Sequence, residues 1–295
     1  MSTNVPDVVP NDPNTAPIEP DNGVTSDWDE QSVATNTQSL TESIMEHVYE
    51  NGRRYHLKSK DQYLLPSDET EKNRLDMVHR GHLTMTKFVE DPVNVLDCGC
   101  GAGIWALVKF ELDNLEKKWT FPKNHFNFIH SRHLNMSIRD WRRYLGQIFR
   151  HTAPGGCIEL TEHINNRWCC DDDTMPDNSP IPMYWKALLP CYKELGMNVG
   201  LHGFDYKLLV EEVGFEDVKL YTFKIPIGPW AQNRRLKRLG TIVAETCKTG
   251  LEAYAQHAYY FEYFISARKP VPEAVFQSPS VQPEESEAPN QSEAS

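Results

Sequence analysis

Between Val93 and Trp105 the chain reads Val-Asn-Val-Leu-Asp-Cys-Gly-Cys-Gly-Ala-Gly-Ile-Trp. An apolar run ends on an acid, Asp97. Glycines then alternate at Gly99, Gly101 and Gly103, and a second apolar run extends from Ile104 to Val108. This is the pattern of a buried strand, a tight turn and a helix start. Glycine lacks a Cβ, so the backbone can adopt positive φ and approach a ligand directly. The turn amides and the helix N-terminus favour the anionic or polar end of a nucleotide-like cofactor. The spacing differs from the dinucleotide fingerprint Gly-x-Gly-x-x-Gly, and no ribose-binding acid follows about 20 residues on, which argues against a nicotinamide-dependent oxidoreductase.

Two further groups stand where apolar runs end. Phe126, Phe128 and Ile129 read as a strand followed by His130 and His133. The turn Ala153-Pro154-Gly155-Gly156 precedes a strand at 157–161, which ends on Glu162 and His163. In sheets of parallel strands, ligands bind at the C-terminal strand ends, and that rule collects Asp97–Gly103, the 129–133 edge and Glu162 at one rim. No metal site is expected. His79 and His82 lack acids or cysteines at ligand spacing, Cys98 and Cys100 are not a zinc knuckle, and Asp171–Asp173 read as a solvated loop.

The elements that must hold these groups follow from periodicity. Helices are expected over 39–50, from about residue 67, from Ile104, from a Ser137 cap through Phe149, over 183–195, 204–213 and 230–248, and on to about His257. Strands are expected at 218–225 and 259–267. Arg139, Arg142, Arg143 and Arg150 would form a solvated helix face, not a nucleic-acid surface. Strand–helix alternation closed by a strand pair indicates an α/β fold, a mainly parallel sheet with helices on both faces. The acids cluster at the ends: eight in residues 1–43 and five in residues 271–295, with no Lys or Arg in either stretch. The chain's net charge is −12, so the domain between them is near neutral. Residues 1–38 and 271–295 read as disordered acidic tails flanking a domain over 39–270. Seven cysteines without a secretory signal or an 18-residue apolar run point to a soluble, intracellular, reduced protein.

In that order the motifs resemble the fungal LaeA-like branch of class I S-adenosylmethionine-dependent methyltransferases, over about residues 40–270. The resemblance is carried by Asn-Gly-Arg-Arg-Tyr-His at 51–56, Arg-Leu-Asp at 74–76 with His79, the stretch 96–105, Trp-Thr-Phe-Pro at 119–122, Phe-Ile-His-Ser-Arg at 128–132 and Pro-Gly-Gly-Cys-Ile-Glu-Leu at 154–160. It implies a Rossmann-like fold, S-adenosylmethionine as cofactor and a small-molecule or protein methyl acceptor. Asp97, Gly99, Gly101 and Gly103 would surround the methionine end, and Asp113 and Asn114 would meet the adenine. His130 and His133 would line the pocket, and Tyr55 and His56 would belong to a lid. Where the acceptor needs deprotonation, His133 or Glu162 is the candidate base.

The sequence departs from that family in one interval. Gly103 and Asp113 are ten positions apart, too few for the second strand, its ribose-binding acid and the adjoining helix. The sheet is therefore expected to be reduced by one or two strands. The cofactor would lose contacts worth on the order of 1.5–3 kcal/mol per hydrogen bond to a charged group. An alternative follows: a catalytically impaired, methyltransferase-like regulatory protein that binds the cofactor weakly and acts through a protein partner.

Overall fold

The structure is a computed structural model. It describes residues 15–21, 47–50, 53–56, 84–88, 91–99, 114–163, 168–176, 178–198, 200–246 and 257–272. The first elements form a small antiparallel pair, β1 (His47–Glu50) and β2 (Arg53–His56), with Tyr49 opposite Arg54 and Val48 opposite Tyr55. The helix expected over 39–50 is corrected here for its last four residues. Asn51-Gly52 is a strong two-residue hairpin signal, and the β-forming Val48 and Tyr49 pair across it.

The main sheet has the order β3 (Val95–Cys98), β4 (Phe126–Arg132), β5 (Thr152–His163), β7 (Tyr259–Arg268), β6 (Glu216–Pro226). β3, β4 and β5 are parallel, and β7 runs antiparallel to both of its neighbours. The C-terminal ends of β3–β6 thus share one rim with the start of β7. The expected mainly parallel sheet is present, and among the described strands β3 is an edge.

One face of the sheet carries α1 (Trp141–His151) and α3 (Gly203–Glu212). Ile129, Ile158, Leu160, Phe261, Tyr263 and Ile265 pack there with Trp141, Tyr144, Ile148 and Tyr206. The other face is covered by α4 (Arg234–Thr246), whose Leu239 and Val243 meet Ile225, Tyr260 and Phe264. α2 (Pro180–Glu194) precedes α3, with prolines opening its first turn. Strand alternation explains the two faces: residues two apart along β5 or β7 share one side. Among the described residues no helix is long and apolar enough to cross a membrane, and the five described cysteines are free thiols.

Several boundaries differ from the sequence reading. α1 is capped by Asp140, which accepts from the Arg143 backbone N–H at 2.9 Å. Ser137 instead lies in the preceding turn, donating its backbone N–H to the Leu134 carbonyl. α4 begins at Arg234 because Asn233 Oδ1 accepts from the Arg235 and Leu236 amides. Ala153–Gly156 form a bulge inside β5, opposite the single residue Asn127, with Gly155 at φ 76°. Thr15–Asp21, within the tail read as solvated, lies against the domain. Asp21 donates to the Trp230 carbonyl, Gln232 donates to that of Glu19, and Asp21 pairs with Lys237. Asp171–Asp173 are exposed, as the solvated-loop reading expects, but the loop is tethered. Asp171 accepts from Lys224 Nζ at 2.6 Å and from the Tyr259 hydroxyl at 2.8 Å, which ties the loop to β6 and β7.

Candidate active site

Register sets the site. Asp97 on β3 is paired with His130 on β4, and His130 with Glu159 on β5. The first pair is bonded through its side chains, His130 Nδ1 to Asp97 Oδ1 at 2.8 Å, with both groups nearly out of solvent. His130 therefore orients the acid one residue before the end of β3. Glu159, fully buried, accepts from the Thr84 and Thr86 hydroxyls and from the Met85 and Thr86 amides. It fastens the segment that leads toward β3.

After Asp97 the chain turns through Gly99 at φ 71°, a left-handed conformation that favours glycine. A Cβ there would lie 2.7 Å from Leu134 Cδ2, so the turn and the loop after β4 are in close contact. Gly101, Gly103 and Asp113 lie outside the described residues, as do the side chain of Tyr55 and the helix expected from Ile104. Asn114 Oδ1 accepts from the Glu116 backbone N–H at 2.9 Å, closing a turn beside α1.

The loop after β4 carries His133, at φ 54°, whose backbone N–H donates to the Thr161 carbonyl. Its Nε2 lies 2.5 Å from Glu262 Oε1, and both side chains are buried. Glu162 accepts from the Leu134 and Asn135 backbone amides at 2.9 and 3.0 Å. Burial pushes its carboxyl well above the usual carboxylate range. The two amides pull it back only in part, and the Glu262 charge adds to the rise. Glu162 is thus a clamp on the loop that presents His133, while His133 is the residue with a buried carboxylate partner.

Asp97, Gly99, His130, His133 and Glu162 therefore do gather at the rim expected from the sequence. Sequence reasoning missed Glu262 and Glu159. Each was signalled by a single acid inside an otherwise apolar or aromatic strand, Tyr-Tyr-Phe-Glu-Tyr-Phe-Ile and Cys-Ile-Glu-Leu. An acid at such a position needs a nonlocal partner. The arginines of α1 project into solvent as expected, and Arg142 meets Glu212 at 2.6 Å.

A Rossmann-like sheet whose first strand ends on an anchored acid and a glycine turn defines the class I methyltransferase architecture. The methyltransferase-domain family model matches residues 49–220, and the chain belongs to that family. A similar protein is the methyltransferase pytC of Aspergillus terreus, 31% identical over 276 residues, covering 80% of this chain and 83% of that one. The secondary metabolism regulator LAE1 of Cochliobolus heterostrophus is 27% identical over 268 residues, covering 77% and 87% respectively. Among solved structures, a phosphoethanolamine N-methyltransferase 2 of Haemonchus contortus, bound to S-adenosyl-L-methionine, superposes loosely. It has a TM-score of 0.40 and 16% identity, over 71% of this chain and 54% of that one.

Proposed function

We propose that this protein transfers a methyl group from S-adenosylmethionine to an acceptor bound at the C-terminal rim of its sheet. The observation that supports this best is the end of β3: Asp97 held by His130, then Gly99 at positive φ against Leu134. Family membership supplies the chemistry. In this reading Asp97, Gly99, Gly101 and Gly103 hold the methionine end of the cofactor, and Asp113 and Asn114 hold the adenine. Tyr55 belongs to the lid. His130 positions Asp97, and Glu162 positions the loop that carries His133.

Methyl transfer from a sulfonium is an in-line displacement, and positioning supplies most of its acceleration. The acceptor's lone pair forms the new bond to carbon. The carbon–sulfur bond breaks, and its electron pair stays on sulfur as a neutral thioether. His133, oriented by Glu262, takes the acceptor's proton where it has one. Relatives named secondary metabolism regulators connect this reading to secondary metabolism without naming an acceptor.

The test is calorimetric titration with S-adenosylmethionine, followed by transfer of labelled methyl groups to fractionated small molecules and proteins. Saturable binding and a labelled product are expected. Labelling of neither fraction despite binding would remove the enzymatic reading. The interval of ten positions between Gly103 and Asp113 favours a second reading, a regulatory protein with a weakened cofactor site that works through a protein partner. That reading requires weak binding or none, and no labelled product.

A further inference from the structure

The rim holds a third ligand-bearing side chain beside His133 and Glu262. His163 ends β5, and its register partner on β7 is Glu262. The His133 and His163 rings meet edge to face, with centroids 4.5 Å apart and planes at 90°. One ligand atom from each of His133, His163 and Glu262 falls within 4.8 Å of the other two. Glu262 is fully buried and His133 nearly so. Two imidazoles and one carboxylate, converging from a loop and two neighbouring strands, form the donor set of a three-ligand transition-metal site with an open position.

We propose that His133, His163 and Glu262 bind one divalent transition-metal ion such as zinc, and that its open position takes an oxygen of the methyl acceptor. The metal half stands on the geometry above; the acceptor half rests on the methyltransferase reading. Bonds of about 2.0–2.1 Å to a tetrahedral ion put ligand atoms roughly 3.3 Å apart. The His133–Glu262 contact must therefore open slightly while His163 closes in. Two neutral imidazoles and one carboxylate leave the ion with one net positive charge, which offsets the desolvation of Glu262 and favours an oxyanion in the fourth position.

With the ion bound, His133 is a ligand and no longer the base. An acceptor hydroxyl replaces metal-bound water and gives its proton to solvent. The resulting oxyanion attacks the methyl carbon, the carbon–sulfur bond breaks, and the electron pair stays on sulfur. The ion's oxidation state does not change. Acceptors of this kind are phenols, enols and other weakly acidic hydroxyl compounds.

The test uses the full chain, stripped with a chelator and titrated with Co²⁺ and Zn²⁺. One equivalent of Co²⁺ with the visible absorption of a low-coordinate nitrogen and oxygen site is expected. Loss of a second-shell partner alone costs roughly 10–100-fold in affinity, so His163→Ala should weaken binding by more than about 100-fold. Glu262→Gln is the second variant, and the unfolding midpoint of each checks that it is folded. No bound equivalent in the parent chain overturns the proposal. So does an equivalent that survives in folded His163→Ala, or one that shows thiolate-to-cobalt charge transfer. Titration with S-adenosylmethionine in parallel separates the two ideas. Cofactor binding without metal refutes this site alone, and metal binding without cofactor refutes the methyltransferase reading alone.

Discussion

Glu162→Gln separates a clamp from a catalyst. Each oxygen of the Glu162 carboxyl accepts one backbone amide, from Leu134 and from Asn135. Glutamine fills the same volume but presents one carbonyl oxygen and one NH₂ group. The NH₂ faces an amide donor, so one buried N–H is left without an acceptor, at about 1–3 kcal/mol. For a domain of 150–250 residues, each kcal/mol corresponds to about 2–4 °C in Tm. The loop that loosens carries His133, so catalysis should fall with stability but not vanish. Glu162→Ala removes both acceptors and should cost about twice as much. The assay pairs denaturant unfolding with labelled methyl transfer at a temperature where both variants are folded. Full stability with abolished transfer in Glu162→Gln would refute the clamp and make Glu162 a reacting group. Unchanged stability and unchanged transfer would refute any role.

Three further outcomes follow from the geometry. Gly99→Ala puts a side chain on a left-handed residue and a Cβ at 2.7 Å from Leu134. It should lower stability by about 1–2 kcal/mol and weaken cofactor binding; parent-like values in denaturation and calorimetry would contradict the turn. Lys224→Met strips the Asp171 carboxylate of its ammonium partner and the Tyr259 ring of a cation 4.5 Å from its centroid. Asp171 is partly exposed, so the loss should be about 1–3 kcal/mol, below that of a fully buried pair. Limited proteolysis should then cut the 168–176 loop sooner. Burial raises the Asp172 carboxyl, but hydrogen bonds from Cys170, His257 and Thr174 outweigh it and hold the group below its ordinary 3.8. A depressed acid lends stability that is full above its unfolded value and lost as pH falls through its folded value. The stability gap between parent and Asp172→Asn should therefore shrink between about pH 5 and pH 2; a constant gap would contradict the pairing.

What the sequence revealed was local. Strand ends, the glycine turn and the apolar face of α1 are written within a few residues of each other. Asp97, Gly99, His130 and His133 could therefore be placed on one rim from strand ends alone. The pairs that give those residues their roles are distant in the chain. His133 meets Glu262 129 positions away, and Glu159 meets Thr84 75 positions away. Neither contact leaves a periodic signal, because each joins an acid inside a strand to a residue outside any strand and far along the chain. Glu162 looked like a base because it is an acid at a strand end, and the structure gives it two backbone amides to hold. Asp171–Asp173 looked like one solvated run, and the structure gives Asp171 a partner on β6. The helix read over 39–50 gave way at His47 because a hairpin turn and cross-strand pairing outweigh a weak amphipathic pattern.

The central claim is that this rim binds a sulfonium nucleoside, and calorimetric titration of the full chain with S-adenosylmethionine tests it most directly. The account predicts saturable one-to-one binding that S-adenosylhomocysteine displaces and that Gly99→Ala weakens. No heat of binding and no displacement up to about 1 mM, the upper end of ordinary substrate affinities, would contradict it.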